Sequence, residues 1–183
     1  MGRLISIILA LSLSVQAFAQ QDSFRFITSD PAVIRAGFSD RHPLDVHVAA
    51  ASPDGGKTWT YSLVVSVSDL VSRAIPQGGL LLVRTLSDEV IELRNEFDEL
   101  QSRDYEGSLV PGTAVVIYKN KGSYAVTLGQ LEKIALGVRK VRIEFTGETV
   151  DSEYKKDKWS EPLTLMLQQV RAKTATTDVR EGF

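Results

Sequence analysis

The pattern that most restricts this chain is an alternation of apolar and polar residues running from Leu44 to Val67 on both sides of the stretch "SPDGGKTW", Ser52 to Trp59. Leu44, Val46, Val48 and Ala50 fall on one face of an extended strand, with Asp45, His47 and Ala49 on the other. Beyond the Asp-Gly turn, Trp59, Tyr61, Leu63, Val65 and Val67 again share a face, and Thr58, Thr60, Ser62, Ser66 and Ser68 oppose them. A period of two on either side of an Asp-Gly pair predicts two antiparallel strands, each half-buried, joined as a hairpin.

The same reading carries along the chain. "DLVSRAI" forms a short turn or a single helical turn, closed by the proline and glycines of "PQGG". "GLLLVRT" is apolar on both faces and reads as a central strand of a covered sheet. Residues 89–100 fit two periods. Ile91 and Leu93 suit a strand that ends at Arg94 and gives way to a loop, while Val90, Leu93, Phe97 and Leu100 recur at helical spacing. The strand is preferred. "GTAVVIYKNKGSYAV" reads as a second hairpin turning at "KNKG", with Val115, Ile117 and Tyr124 free to pack.

A helix from about Leu128 to Leu136 is marked at both ends. Thr127 and Gln130 have the spacing of a capping box, Val126 and Leu131 that of a hydrophobic staple, and Gly137 stands where a left-handed residue closes a helix. "VRKVRIEF" returns to alternation, with Arg139, Val141, Ile143 and Phe145 on one side. After the charged link "YKKDKW", Ser160 is placed to cap a last helix whose apolar face is Leu163, Met166, Leu167 and Val170. These elements predict an α+β fold dominated by antiparallel sheet, a sandwich or a curled sheet, with one short helix and a C-terminal helix.

The first 19 residues have the form of a secretory signal peptide: Arg3, an apolar run from Leu4 to Val15, then Ala17-Phe18-Ala19, with cleavage expected after Ala19. The organisation that follows is residues 20–172 as one globular domain and 173–183 as a flexible tail. Nothing later in the sequence has the length and apolarity of a transmembrane anchor. The chain contains no cysteine, so it has neither a lipid-anchor cysteine nor a disulfide, which favours a bacterial exported protein in the periplasm or outside the cell. Losing Arg3 leaves 20 of the 21 basic side chains against 23 acidic ones, a net charge of −3. Such a balance offers no electrostatic case for nucleic acid.

Ser52, Asp54, Gly56, Thr58 and Trp59 match S-x-D-x-G-x-T-W at every fixed position, and the stretch resembles the Asp boxes of sialidases and other secreted β-rich proteins. That resemblance implies a structural turn. The aspartate accepts backbone hydrogen bonds, the glycine allows positive φ, and the tryptophan packs beneath the loop. Sialidase propellers repeat the motif across four-stranded blades, whereas this sequence carries one copy and no internal repeat. A second resemblance, "IPQGGLLLVRTLSDEVIEL" with "YAVTLGQLEKIALGVRKVRIEF", is to uncharacterised exported proteins of Bacteroidetes and spans about half of the mature chain. It implies location and fold type, with no activity to carry over.

Catalytic and metal-binding arrangements are weakly represented. Asp40, His42, Asp45 and His47 gather two imidazoles and two carboxylates, but Pro43 breaks the spacing between the histidines and the set matches no metal motif. Glu92, Glu96, Asp98, Glu99, Asp104 and Glu106 form an acidic stretch that reads as a solvated loop. It lacks the order of a calcium loop, and two carboxyls become a glycosidase only at the right separation. No nucleophile elbow accompanies the serines. "VRKVR" and "YKKDK" make a basic patch broken by acids and without stacking aromatics.

No catalytic residue, metal ligand or cofactor site is therefore assigned. The sequence reads as an exported non-catalytic protein of the bacterial envelope with a binding or structural role, its partner an envelope protein or a glycan. The alternative is a small carbohydrate-active or carbohydrate-binding protein. A sugar platform would need Trp59 or Trp159 exposed, an enzyme would need convergent carboxyls in a pocket, and an interaction protein would need an open apolar face.

Overall fold

The computed structural model describes residues 24–36, 43–97, 100–107 and 114–178. Among the described residues, ten strands form two antiparallel sheets accompanied by two helices, a mainly β member of the α+β class. The larger sheet contains β1 (Arg25–Thr28), β2 (Ala32–Ile34), β3 (Leu44–Ser52), β4 (Thr60–Asp69), β7 (Leu100–Gly107) and β8 (Ala114–Val126). Its order is β1-β3-β4-β8-β7, with β2 sharing the β1 edge of β3. The smaller sheet runs β10-β9-β5-β6, from β5 (Leu80–Thr85), β6 (Val90–Arg94), β9 (Val138–Phe145) and β10 (Glu148–Glu153). Helix α1 is Leu128–Ala135 and helix α2 is Ser160–Asp178.

One buried cluster draws on both sheets and both helices: Val46, Val48, Leu63 and Val65 from the larger sheet, Leu81, Val83, Ile91 and Ile143 from the smaller, and Leu131 and Leu163 from the helices. The expected hairpin of β3 and β4 is present, with Val46 opposite Val65 and Ala49 opposite Ser62. Helix α1 carries the capping box in full, and Gly137 follows at φ 121°. Along α2, Leu163, Met166, Leu167 and Val170 are all buried, and the helix runs on through Lys173 to Asp178.

Several segments differ from the sequence reading. "KNKG" makes no turn: β8 is one strand of 13 residues that pairs with β4 over Tyr118–Val126 and with β7 over Ala114–Lys121. The loop expected after Arg94 gives way to β7, so Asp104 and Glu106 lie on a strand. "DLVSRAI" contains no helical turn, Asp69 closing β4 before an irregular run to Ile75. Arg139 is exposed and Val138 takes the inward position, because a register shift beside Arg84 and Thr85 advances the alternation of β9 by one residue. Ser160 is the first residue of α2, and Asp157 accepts from the backbone nitrogens of Trp159 and Ser160 at 3.1 and 3.2 Å in place of a Ser160 cap.

The outer faces of the two sheets differ in kind. On the smaller sheet, Arg142 pairs bidentately with Asp151 at 2.6 and 2.9 Å, and Lys140 reaches the same carboxylate at 2.7 Å. Arg139 pairs with Asp88 at 2.8 Å. The basic patch read from "VRKVR" is thus interleaved with acids from neighbouring elements. On the larger sheet, Ala49, Ala51, Ser62, Ser123 and Ala125 are small outward residues of β3, β4 and β8 that line a groove.

Candidate functional site: a groove on the larger sheet

The groove follows from the alternation of three adjacent strands. With Val46, Val48, Leu63 and Val65 turned inward, the residues between them must face out. His47, Ala49 and Ala51 on β3, Thr60, Ser62 and Val64 on β4, and Lys121, Ser123 and Ala125 on β8 form the floor. Register aligns them across the strands: His47, Val64 and Ser123 make one row, and Ala49, Ser62 and Ala125 the next. Small side chains leave a trough, and larger ones wall it. The groove encloses about 920 Å³.

Aromatic rings stand at its margins. Phe24 and Phe26 are 61% and 63% exposed, and Phe97 is 55% exposed. Phe26 lies opposite Ala51, so the β1 edge supplies one wall. Trp59 also lines the groove, half-buried, with its other side against the core. Leu128 and Gln130 from the first turn of α1 approach the same end. Trp159 has a different role: it is fully buried, edge-on to Tyr154 with ring centroids 6.2 Å apart.

The Asp-box turn sits at the aromatic end. Asp54 Oδ1 accepts from Thr58 N at 2.9 Å and from the Ser52 hydroxyl at 2.7 Å, while Thr58 Oγ1 donates to Asp54 Oδ2 at 2.6 Å. Gly56 N donates to Ser52 Oγ at 2.7 Å, with Gly55 and Gly56 at φ 80° and 113°. The Thr58 hydroxyl, then the Thr58 N–H and the Ser52 hydroxyl, hold the Asp54 carboxyl far below the usual carboxylate range. Every acceptor of this aspartate points into its own loop. The motif therefore orients Trp59 and the start of β4.

The charged groups of the groove are few. Partial burial, followed by the positive charge of Lys121, lowers the pKa of His47, so the imidazole is neutral at pH 7. Ser62 Oγ donates to Glu96 Oε2 at 3.0 Å. Glu96 is held there by Asn95, a buried residue that joins the end of β6 to β8. Asn95 Oδ1 accepts from Ser123 N at 2.9 Å, and Nδ2 donates to the carbonyls of Ile75, Pro76 and Phe97.

The other sequence candidates do not converge here. Asp45 and His47 share the outward face of β3, while Asp40 and His42 lie outside the described residues. Among the described residues no group of three or more His, Asp or Glu has metal-binding geometry. Glu92 stands on the smaller sheet and pairs with Arg94 at 2.5 Å, and Asp98 and Glu99 lie outside the described residues. Phe24, Phe26 and Glu96 were not singled out as neighbours in the sequence, although alternation in "SFRFIT" was a local signal for an edge strand. Comparison with family models, curated proteins and solved structures finds no match to this chain.

Proposed function

We propose that this chain is an exported, non-catalytic binding protein and that it binds its ligand in the groove on the outer face of the larger sheet. The observation that carries this reading is the groove itself: about 920 Å³, floored by Ala49, Ala51, Ser62 and Ala125 and walled by Phe24, Phe26, Trp59 and Phe97. Concave sites of several hundred Å³, mainly apolar and with a few polar groups, are where proteins take small ligands. Exposed aromatic rings gathered at one concavity also exceed what an ordinary surface needs for solubility. Export rests on the signal-like first 19 residues.

A glycan is the second reading, favoured by Trp59 and Tyr61 lining the same groove. One experiment separates the two. Thermal unfolding is followed with oligosaccharides, peptidoglycan fragments and single-chain amphiphiles, for the parent protein and for Ala125→Trp, which fills the trough from an exposed position. A ligand at about 100 times its Kd adds about 2.7 kcal/mol. A rise with amphiphiles that disappears in Ala125→Trp supports the apolar groove, and a rise with one oligosaccharide that disappears likewise supports the glycan. A rise that survives the substitution puts binding elsewhere and ends the groove reading.

A further inference from the structure

The groove has a direction, and this direction defines a ligand class. Lys121 on β8 and Thr127, the residue just past its end, both line it six residues apart, which on extended chain is roughly 20 Å. At one end lie Lys121, which shares a row with Ser66 and Asp45, and His47, one row further in. At the other end lie Phe26, beside Ala51, and Trp59, next to the Thr60 that pairs with Ala51. Between these ends the floor is Ala49, Ser62, Val64 and Ala125.

We propose that the groove takes a single-chain amphipathic carboxylate, a fatty-acid-like molecule, with its head at Lys121 and His47 and its chain laid toward Phe26 and Trp59. The inference rests on the reading of the groove as the binding site and deepens it. The chain removes the small-residue floor and aromatic walls from water, which favours binding in proportion to the apolar surface covered. The head meets the Lys121 ammonium and a neutral imidazole able to donate from one ring nitrogen, so an anion entering there keeps its hydrogen bonds. Glu96 is the one acid among the described lining residues. It accepts from Ser62, one row beyond His47 and two rows beyond Lys121.

The test uses three probes with the same twelve-carbon chain, below their micelle concentrations: dodecanoate, dodecyl maltoside and dodecyltrimethylammonium. Affinities are measured by calorimetry and by tryptophan emission, since Trp59 lines the groove while Trp159 is buried. Dodecanoate is expected to bind about tenfold more tightly than the ammonium probe, to weaken about fivefold to tenfold in Lys121→Gln, and to be lost in Ala125→Trp. Dodecyl maltoside should be indifferent to Lys121→Gln. Equal binding of all three probes, abolished by Ala125→Trp, would overturn the head-group assignment and leave the groove reading standing. Preference for the ammonium probe, lost in Glu96→Gln, would place the head at Glu96 and overturn it as well. No binding by any probe overturns the fatty-acid inference, and binding unchanged in Ala125→Trp overturns both readings. Retention of the parent Tm in each variant shows that a loss of binding is local.

Discussion

The ring of Tyr124 lies across the backbone of Gly122, two residues earlier on the same strand. A Cβ on the glycine would stand 2.7 Å from Cε2 and 2.8 Å from Cζ and the hydroxyl oxygen. Tyr124 is completely buried, so the ring has nowhere to move. The glycine of "KNKG" is thus a packing requirement in the middle of a strand, where close approach is the usual reason for one.

Gly122→Ala is expected to destabilise the protein by about 1–3 kcal/mol, the range for forcing extra volume into a packed core. Urea unfolding measures it. Gly129→Ala is the control, because a Cβ there meets nothing within 4 Å and the position is helical. It should stabilise by about 0.5–1 kcal/mol. A neutral Gly122→Ala would mean that Tyr124 can swing away.

Asn95 is the joint between the sheets. Its side chain makes four hydrogen bonds, to Ile75, Pro76, Phe97 and Ser123, in a buried position. Asn95→Leu leaves three carbonyls and one N–H without this partner, at about 1–3 kcal/mol for each group that water cannot reach. A loss of at least about 3 kcal/mol in denaturant unfolding is expected. Asn95→Asp should also be poor, since a carboxylate cannot donate to the carbonyls.

Two acid-sensitive windows follow from the titrating groups. The pKa of His47 is lowered in the fold, so the unfolded chain binds the proton more readily and stability falls as pH drops below about 6.5. His47→Gln should flatten stability between about pH 7 and 5. Asp54 acts lower: its carboxyl is also depressed, so its contribution is complete above about pH 4 and is lost as pH falls further. Asp54→Asn should weaken the protein at pH 7 and lose that difference in acid. Denaturant midpoints at pH 7, 5 and 3 check both.

The tryptophans should separate by accessibility. Trp159 is buried and Trp59 lines the groove, so iodide quenching in the parent belongs to Trp59. Trp59→Phe is expected to leave a blue emission that iodide barely affects. Appreciable quenching in that variant would mean that the region around Trp159 opens.

Where local and tertiary demands agree, the sequence was enough to read the structure. Thr127 and Gln130 satisfy each other across three residues, and Leu44 to Val67 alternates against its own return strand, so α1 and the first hairpin need no distant information. Strand β10 escaped because "ETVDSE" is an exposed edge whose apolar contribution is small, and it exists through its ladder with β9. Strand β1 is likewise an edge. It ends where Ser29 Oγ accepts from Val48 N at 3.0 Å, and Asp30 then turns to a double hydrogen bond with Gln169 at 2.8 Å, a partner 139 residues away.

By itself, then, the sequence determined the local periods: which residues of β3 and β4 face in, where the short helix starts and stops, and that the Asp-Gly turn joins two strands. Those are contests between near neighbours, settled within a few residues by side-chain direction and backbone hydrogen bonds. Tertiary structure decided the order of strands in the sheets, the use of "KNKG" as strand in place of turn, and the meeting of Phe26, Trp59, Glu96 and Lys121 around one trough. Lys119 to Gly122 can turn in isolation, but Lys119 to Lys121 have ladder partners on both β4 and β7, Gly122 pairs with Val65 of β4, and the Tyr124 ring covers the glycine. Pairing across distant strands and the exclusion of water beneath them outweigh a local turn preference, and no window of sequence contains those terms.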